Sequence, residues 1–113
     1  MKKIRILIIG VVMLLPGVVY SQDSTAIRLA DHIAGKMKDS LSLTNDQRNQ
    51  VYNINMYIHN QKTSARQLYA NPDTLRYRMQ RIENERDSLY RGVIPDSTFL
   101  IYRQKKRFLI SAN

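Results

Sequence analysis

A helix start is written into Leu43-Thr44-Asn45-Asp46-Gln47, and it constrains the fold more than any other stretch of the chain. The Thr44 hydroxyl can accept a hydrogen bond from the backbone N–H of residue 47 while the Gln47 side chain reaches back to the N–H of Thr44, which is the reciprocal pair of a capping box. Asp46 adds negative charge in a first turn whose unpaired N–H groups carry partial positive charge. A helix is therefore expected from Asn45. Leu43 stands where a hydrophobic staple residue would, but the position it should pack against is Arg48, which offers only an aliphatic stem.

Helical periodicity continues on both sides of this landmark. Before it, Ala26, Leu29, Ala30, Ile33, Met37 and Leu41 recur at spacings of three and four, predicting an amphipathic helix from Asp23 or Ser24 to Leu41 that Gly35 weakens modestly. After it, Val51, Ile54, Ile58, Ala65 and Leu68 share a stripe, with Tyr52, Met56 and Tyr57 beside it. This second helix is expected to run to about Ala70, spanning ~39 Å at ~1.5 Å per residue. Asn71-Pro72-Asp73 then stops one helix and starts another. In the third helix Leu75, Met79, Ile82, Leu89 and Val93 share a face that Arg86 interrupts. Gly92 suits a stop and Pro95 a restart, with Asp96 acidic in the first turn. The fourth helix reads Phe99, Tyr102, Lys106 and Leu109 along one stripe, with Ile101, Phe108 and Ile110 off it. Period-two alternation never persists outside the leader. The expected fold is all-α: about four helices, a long antiparallel helical hairpin with flanking helices.

The first residues place this domain in a cell compartment. Met1-Lys2-Lys3-Ile4-Arg5 precedes an apolar run from Ile6 to Val19, broken by Pro16-Gly17, with small or tolerated residues at Val19 and Ser21. This reads as a signal peptide over residues 1–21, because a membrane anchor needs about 20 unbroken apolar residues. No cysteine follows the run, which excludes lipid attachment at a cleaved cysteine. Removing residues 1–21 from the 113 leaves a single domain of 92 residues, 22–113. It also takes Lys2, Lys3 and Arg5 out of 18 basic residues, so 15 face 9 acidic ones, a net charge of +6. With no cysteine there is no disulfide, so long helices or oligomerisation must supply the stability that small exported domains often draw from cross-links. Export also argues against nucleic acid as the partner of this basic chain; lipid phosphates, lipopolysaccharide and acidic segments of unfolded proteins are the polyanions within reach.

Leu43, Thr44 and Gln47, behind a signal peptide in a small, basic, cysteine-free helical chain, resemble the LTxxQ-motif periplasmic family (Spy/CpxP-like) over roughly residues 39–110. Family members carry a second such motif at a helix start. Here it is degraded, with Ile94, Pro95 and Thr98 at the leucine, threonine and glutamine positions. The resemblance implies a cradle-like homodimer in the periplasm, acting in the envelope stress response as a chaperone that holds unfolded or misfolded envelope proteins without ATP, a cofactor or enzymatic chemistry. Residues of this chain compatible with client binding are Arg66, Arg78 and Arg81, which attract acidic segments, and Tyr52, Tyr57, Tyr69 and Tyr77, which offer rigid amphipathic contact area. The same tyrosines suit ordinary packing at a core edge, and periodicity does not separate the two. The capping box is fully used in starting a helix.

Three other classes are weighed. A regulator that docks its basic face on an acidic envelope-stress sensor would use the same surface. A metal-resistance or metal-sensing role, suggested by the association of some relatives in this broad family with metal resistance, finds only His32 and His59, on different expected helices and without a completing acidic or thiol cluster, so no metal ligand is assigned. No nucleophile turn, phosphate loop or metal-hydrolase spacing supports an enzyme. Membrane contact, if it occurs, is peripheral: Arg103 to Arg107 flanked by Phe99, Phe108 and Leu109 form a short basic amphipathic segment, which equally suits a solvated helix docked on the bundle.

Overall fold

Four helices account for nearly all of residues 24–112, the part of the chain that the computed structural model describes; the expected leader lies outside them. They are α1 (Ser24–Leu41), α2 (Asn45–Leu68), α3 (Pro72–Arg91) and α4 (Asp96–Leu109), and among the described residues there is no strand. No helix among them is long and apolar enough to cross a membrane.

The junctions follow local chemistry. α1 ends at Ser42, whose φ of 56° places it in the left-handed region, and the N–H of Leu43 returns to the carbonyl of Lys38 at 3.1 Å. This is the six-to-one bond of a Schellman turn, with Leu43 and Met37 joining the same core on the turn's inner side. The capping box forms as the sequence implies: Gln47 N–H donates to Thr44 Oγ1 at 3.1 Å, and Thr44 N–H donates to Gln47 Oε1 at 2.8 Å. Leu43 buries in the core instead of stapling onto Arg48, whose guanidinium pairs with Asp31 of α1. Asn71 caps α3 by accepting from the N–H groups of Asp73 and Thr74, with Pro72 in the first turn. Pro95 precedes α4 with no side-chain cap, because proline carries no side-chain acceptor. Gln47 also donates from Nε2 to the carbonyl of Val93 at 3.3 Å, tying the α1–α2 turn to the α3–α4 turn.

Pairings across α2 and α3 run in opposite senses: Tyr69 meets Arg78, Lys62 meets Glu83, Tyr57 meets Glu85 and Asn55 meets Arg86. The two helices are thus an antiparallel hairpin. α1 and α4 pack against one end of it. There Ile33, Ala34, Met37 and Leu41 of α1 meet Val51, Tyr90, Ile94, Phe99, Tyr102 and Leu109 in the larger of two cores. The smaller core, Ile58, Ala65 and Ile82, belongs to α2 and α3 alone, with Ile54, Tyr69, Leu75 and Met79 partly covering it. The hairpin therefore extends as an arm beyond the four-helix body.

A buried polar network holds body and arm in register. Arg86, 6 % exposed, donates from Nη1 to Asn55 Oδ1 and to the Tyr90 hydroxyl, each at 3.2 Å, and from Nε to Glu83 Oε1 at 3.1 Å. Tyr90 donates to Asn55, and Asn55 Nδ2 donates to the carbonyl of Ala30 in α1 at 3.0 Å. Glu83 also pairs with Lys62, and Lys106 of α4 sits 3.8 Å from it and 3.0 Å from Asp87, which accepts from the Tyr102 hydroxyl at 2.8 Å. All four helices contribute. Burial works to raise the Glu83 pKa, but Arg86, then Lys62 and Lys106, outweigh it and hold the carboxyl below its ordinary value. Arg86 is thus no interruption of an apolar face but the centre of its own.

Two expectations are corrected. α2 ends at Leu68 rather than Ala70, and Leu68 is 72 % exposed instead of buried, because the turn into α3 comes before any facing residue can cover it. Phe99 and Leu109 are core residues, so they cannot flank a lipid-facing basic segment.

Candidate binding groove on the helical hairpin

On the arm, the line Tyr57, Gln61, Ser64 and Leu68 of α2 runs beside Arg78, Arg81, Glu85 and Ser88 of α3. Each set recurs at spacings of three and four, so each lies on one helix face. Between the two lies an open groove of about 680 Å³, floored by Ala65 and Ile82, with Tyr69 and Asn84 also in its wall.

The expected client-binding residues divide on this geometry. Tyr69, Arg78 and Arg81 line the groove. Arg78 lies over the Tyr69 ring, 4.9 Å from its centroid, and closes the end near the hairpin turn. Arg81 lies 5.8 Å over the exposed Tyr77 ring and donates to its hydroxyl at 3.1 Å, which makes Tyr77 a rim residue. Tyr57 donates to Glu85 at 2.8 Å across the two helices; that hydrogen bond, with burial second, raises the phenol pKa. Arg66 is exposed on α2 and does not line the groove. Tyr52 is elsewhere, half-buried in the body beside Asp31 and Arg48. The motif residues Leu43, Thr44 and Gln47 belong to the body's turns and take no part in the groove.

The groove combines an apolar floor, aromatic edges and the two guanidiniums of Arg78 and Arg81, each held over a tyrosine ring, while its one lining carboxylate, Glu85, is engaged by Tyr57. Such a surface suits extended segments carrying mixed apolar and acidic side chains. Sequence reasoning missed Gln61, Ser64 and Ser88, since a search for apolar stripes passes over a mixed face at the same period. His59 lies 3.5 Å from Thr63 on α2 and His32 is exposed on α1; among the described residues no three His, Cys, Asp or Glu side chains gather where a metal could be held. No family model, no curated protein and no solved structure matches this chain.

Proposed function

We propose that this protein is an exported, non-enzymatic, ATP-independent chaperone that holds unfolded segments of envelope proteins in the α2–α3 groove. The observation that carries the reading is the pairing of Tyr69 with Arg78 and of Tyr77 with Arg81 around an open apolar floor. Each pair presents a flat ring and a cation that tolerate many sequences, and neither needs a specific partner geometry. The exposed Leu68 at the hairpin tip adds apolar contact area.

The test is aggregation of several unrelated denatured proteins in the presence of residues 22–113, a chain that contains every residue of both cores. Delay for all of them, weakened when Tyr69 and Arg78 are both replaced by serine, is expected. No delay for any client refutes the reading. Inactivity on clients combined with saturable capture of one sensor protein would put the regulatory role in its place. The mass of the same preparation in solution checks the homodimer that the reading includes.

A further inference from the structure

Among the described residues no element covers the outward face of α4, and its composition is unlike that of the other helices. Ser97, Ile101, Gln104 and Phe108 follow one line at spacings of four, three and four, with Leu100 beside it. Leu100, Ile101 and Phe108 are 63 %, 42 % and 57 % exposed, which puts three of the six large exposed hydrophobic side chains among the described residues on this one 14-residue helix. At ~100° per residue, Arg103 and Arg107 fall on one flank of this stripe and Lys105 on the other, and all three are exposed. The opposite side of the helix, Phe99, Tyr102 and Leu109, is buried, so the orientation is fixed by the body's core. Lys36 of α1 adds a cation 4.6 Å above the Phe108 ring while its ammonium donates to the carbonyls of Phe108 and Ser111, holding the end of α4 in place.

We propose that this face docks on an anionic phospholipid surface, with α4 lying in the plane of the interface. Leu100, Ile101 and Phe108 enter the acyl boundary, and Arg103, Lys105 and Arg107 stay at the level of the phosphates, their stems following the apolar side chains inward. Charge complementarity selects this occupant. Asp96 is the one acid of α4 and sits in its first turn, whereas the acids of α3 that face α4 are engaged on the buried side, Glu83 by Arg86, Lys62 and Lys106 and Asp87 by Tyr102 and Lys106. A second copy pairing through the same face by two-fold symmetry would gather six cations, Arg103, Lys105 and Arg107 from each copy, against only two acids, Asp96 from each. A layer of phosphates meets both flanks. The groove on α2 and α3 uses none of these residues, so the two surfaces can be tested apart.

The experiment is co-sedimentation of residues 22–113, which lack the apolar leader, with vesicles of equal phosphatidylglycerol and phosphatidylcholine and with vesicles of phosphatidylcholine alone. Binding to the mixed vesicles at low ionic strength, weakening with added salt, and little binding to phosphatidylcholine are expected. Replacing Arg103, Lys105 and Arg107 by glutamine should lower the partition coefficient about fivefold per cation, roughly 100-fold together. The pair Leu100→Gln and Phe108→Gln should abolish binding; both variants change exposed side chains, and an unaltered helical circular dichroism spectrum verifies the fold. Absence of binding at low ionic strength overturns the proposal, as does binding indifferent to both variants. A solution dimer that the Leu100→Gln, Phe108→Gln pair dissociates, without lipid binding by the parent, would assign the face to a second copy instead.

Discussion

Replacing Arg86 by methionine tests whether the buried network stabilises the fold or merely tolerates a charge. Methionine keeps most of the stem's volume and removes the guanidinium, which contacts Glu83, Asn55 and Tyr90. Hydrogen bonds to a charged group contribute about 1.5–3 kcal/mol each, so three partners give a gross loss of roughly 5–9 kcal/mol. Against this stands the desolvation that a buried guanidinium suffers and a methionine does not, several kcal/mol in itself. Two contacts also survive: Tyr90 still donates to Asn55, and Glu83 keeps Lys62. The net expected is a loss of about 2–3 kcal/mol, which for a domain of this size lowers Tm by roughly 10–20 °C. Urea denaturation followed by circular dichroism gives the free energy. A second variant, Glu83→Gln, and the double variant complete a cycle in which the double should be less destabilised than the sum, because each single change leaves the other partner's charge half-buried. An Arg86→Met protein as stable as the parent, with no coupling to Glu83, would refute the reasoning and show that the network costs as much as it contributes.

The helix cap and the buried phenols yield two further expectations. Thr44→Ala removes the acceptor of the Gln47 N–H and should destabilise by ~1 kcal/mol, with Thr44→Ser retaining most of it; equal denaturation midpoints for all three proteins would contradict the cap. At alkaline pH, Tyr90 is pushed up to about 12 by burial, against which Arg86 acts, and Tyr102 is raised by burial and by its hydrogen bond to Asp87. Unfolded phenols ionise near pH 10, so above that the unfolded state releases protons that the folded state retains. Stability is therefore intact below about pH 10 and falls as pH rises, by about 1.4 kcal/mol per unit for each of the two. Phenolate absorbance should show Tyr90 and Tyr102 ionising only together with loss of helix; ionisation of every phenol in a still-helical chain would exclude this account.

Legibility of the fold varied with how local its causes are. The capping box, the Asn71-Pro72 junction and the stripes of α1 and α4 depend on neighbours within a few residues, and the sequence shows them directly. Arg86 and Asn55 depend on residues far along the chain. Asn55 fits the spacing between Val51 and Ile58, and Tyr90 continues the line of Ile82 and Arg86 at steps of four, yet the pattern on any one helix cannot say that a polar side chain is buried until its partners on other helices are known. Leu68 misled for the opposite reason: its spacing was right, but its position at the helix end left nothing opposite. In the groove, Tyr69, Arg78 and Arg81 were accessible from residue type, whereas the convergence of two mixed faces is a property of the hairpin rather than of either helix.

The division of the interior into two cores sets a hierarchy of opening. The arm from Ile58 onward is held by three buried apolar residues and by contacts between its helices such as Tyr69 with Arg78, while the body rests on eleven buried residues drawn from all four helices and their turns. Amide protons near the hairpin turn should exchange through local separation of α2 and α3 well before those around Val51 and Tyr90, whose exchange awaits global unfolding. The groove then has no single width: the two helices that form its walls can part at the hairpin turn without disturbing the end that anchors them.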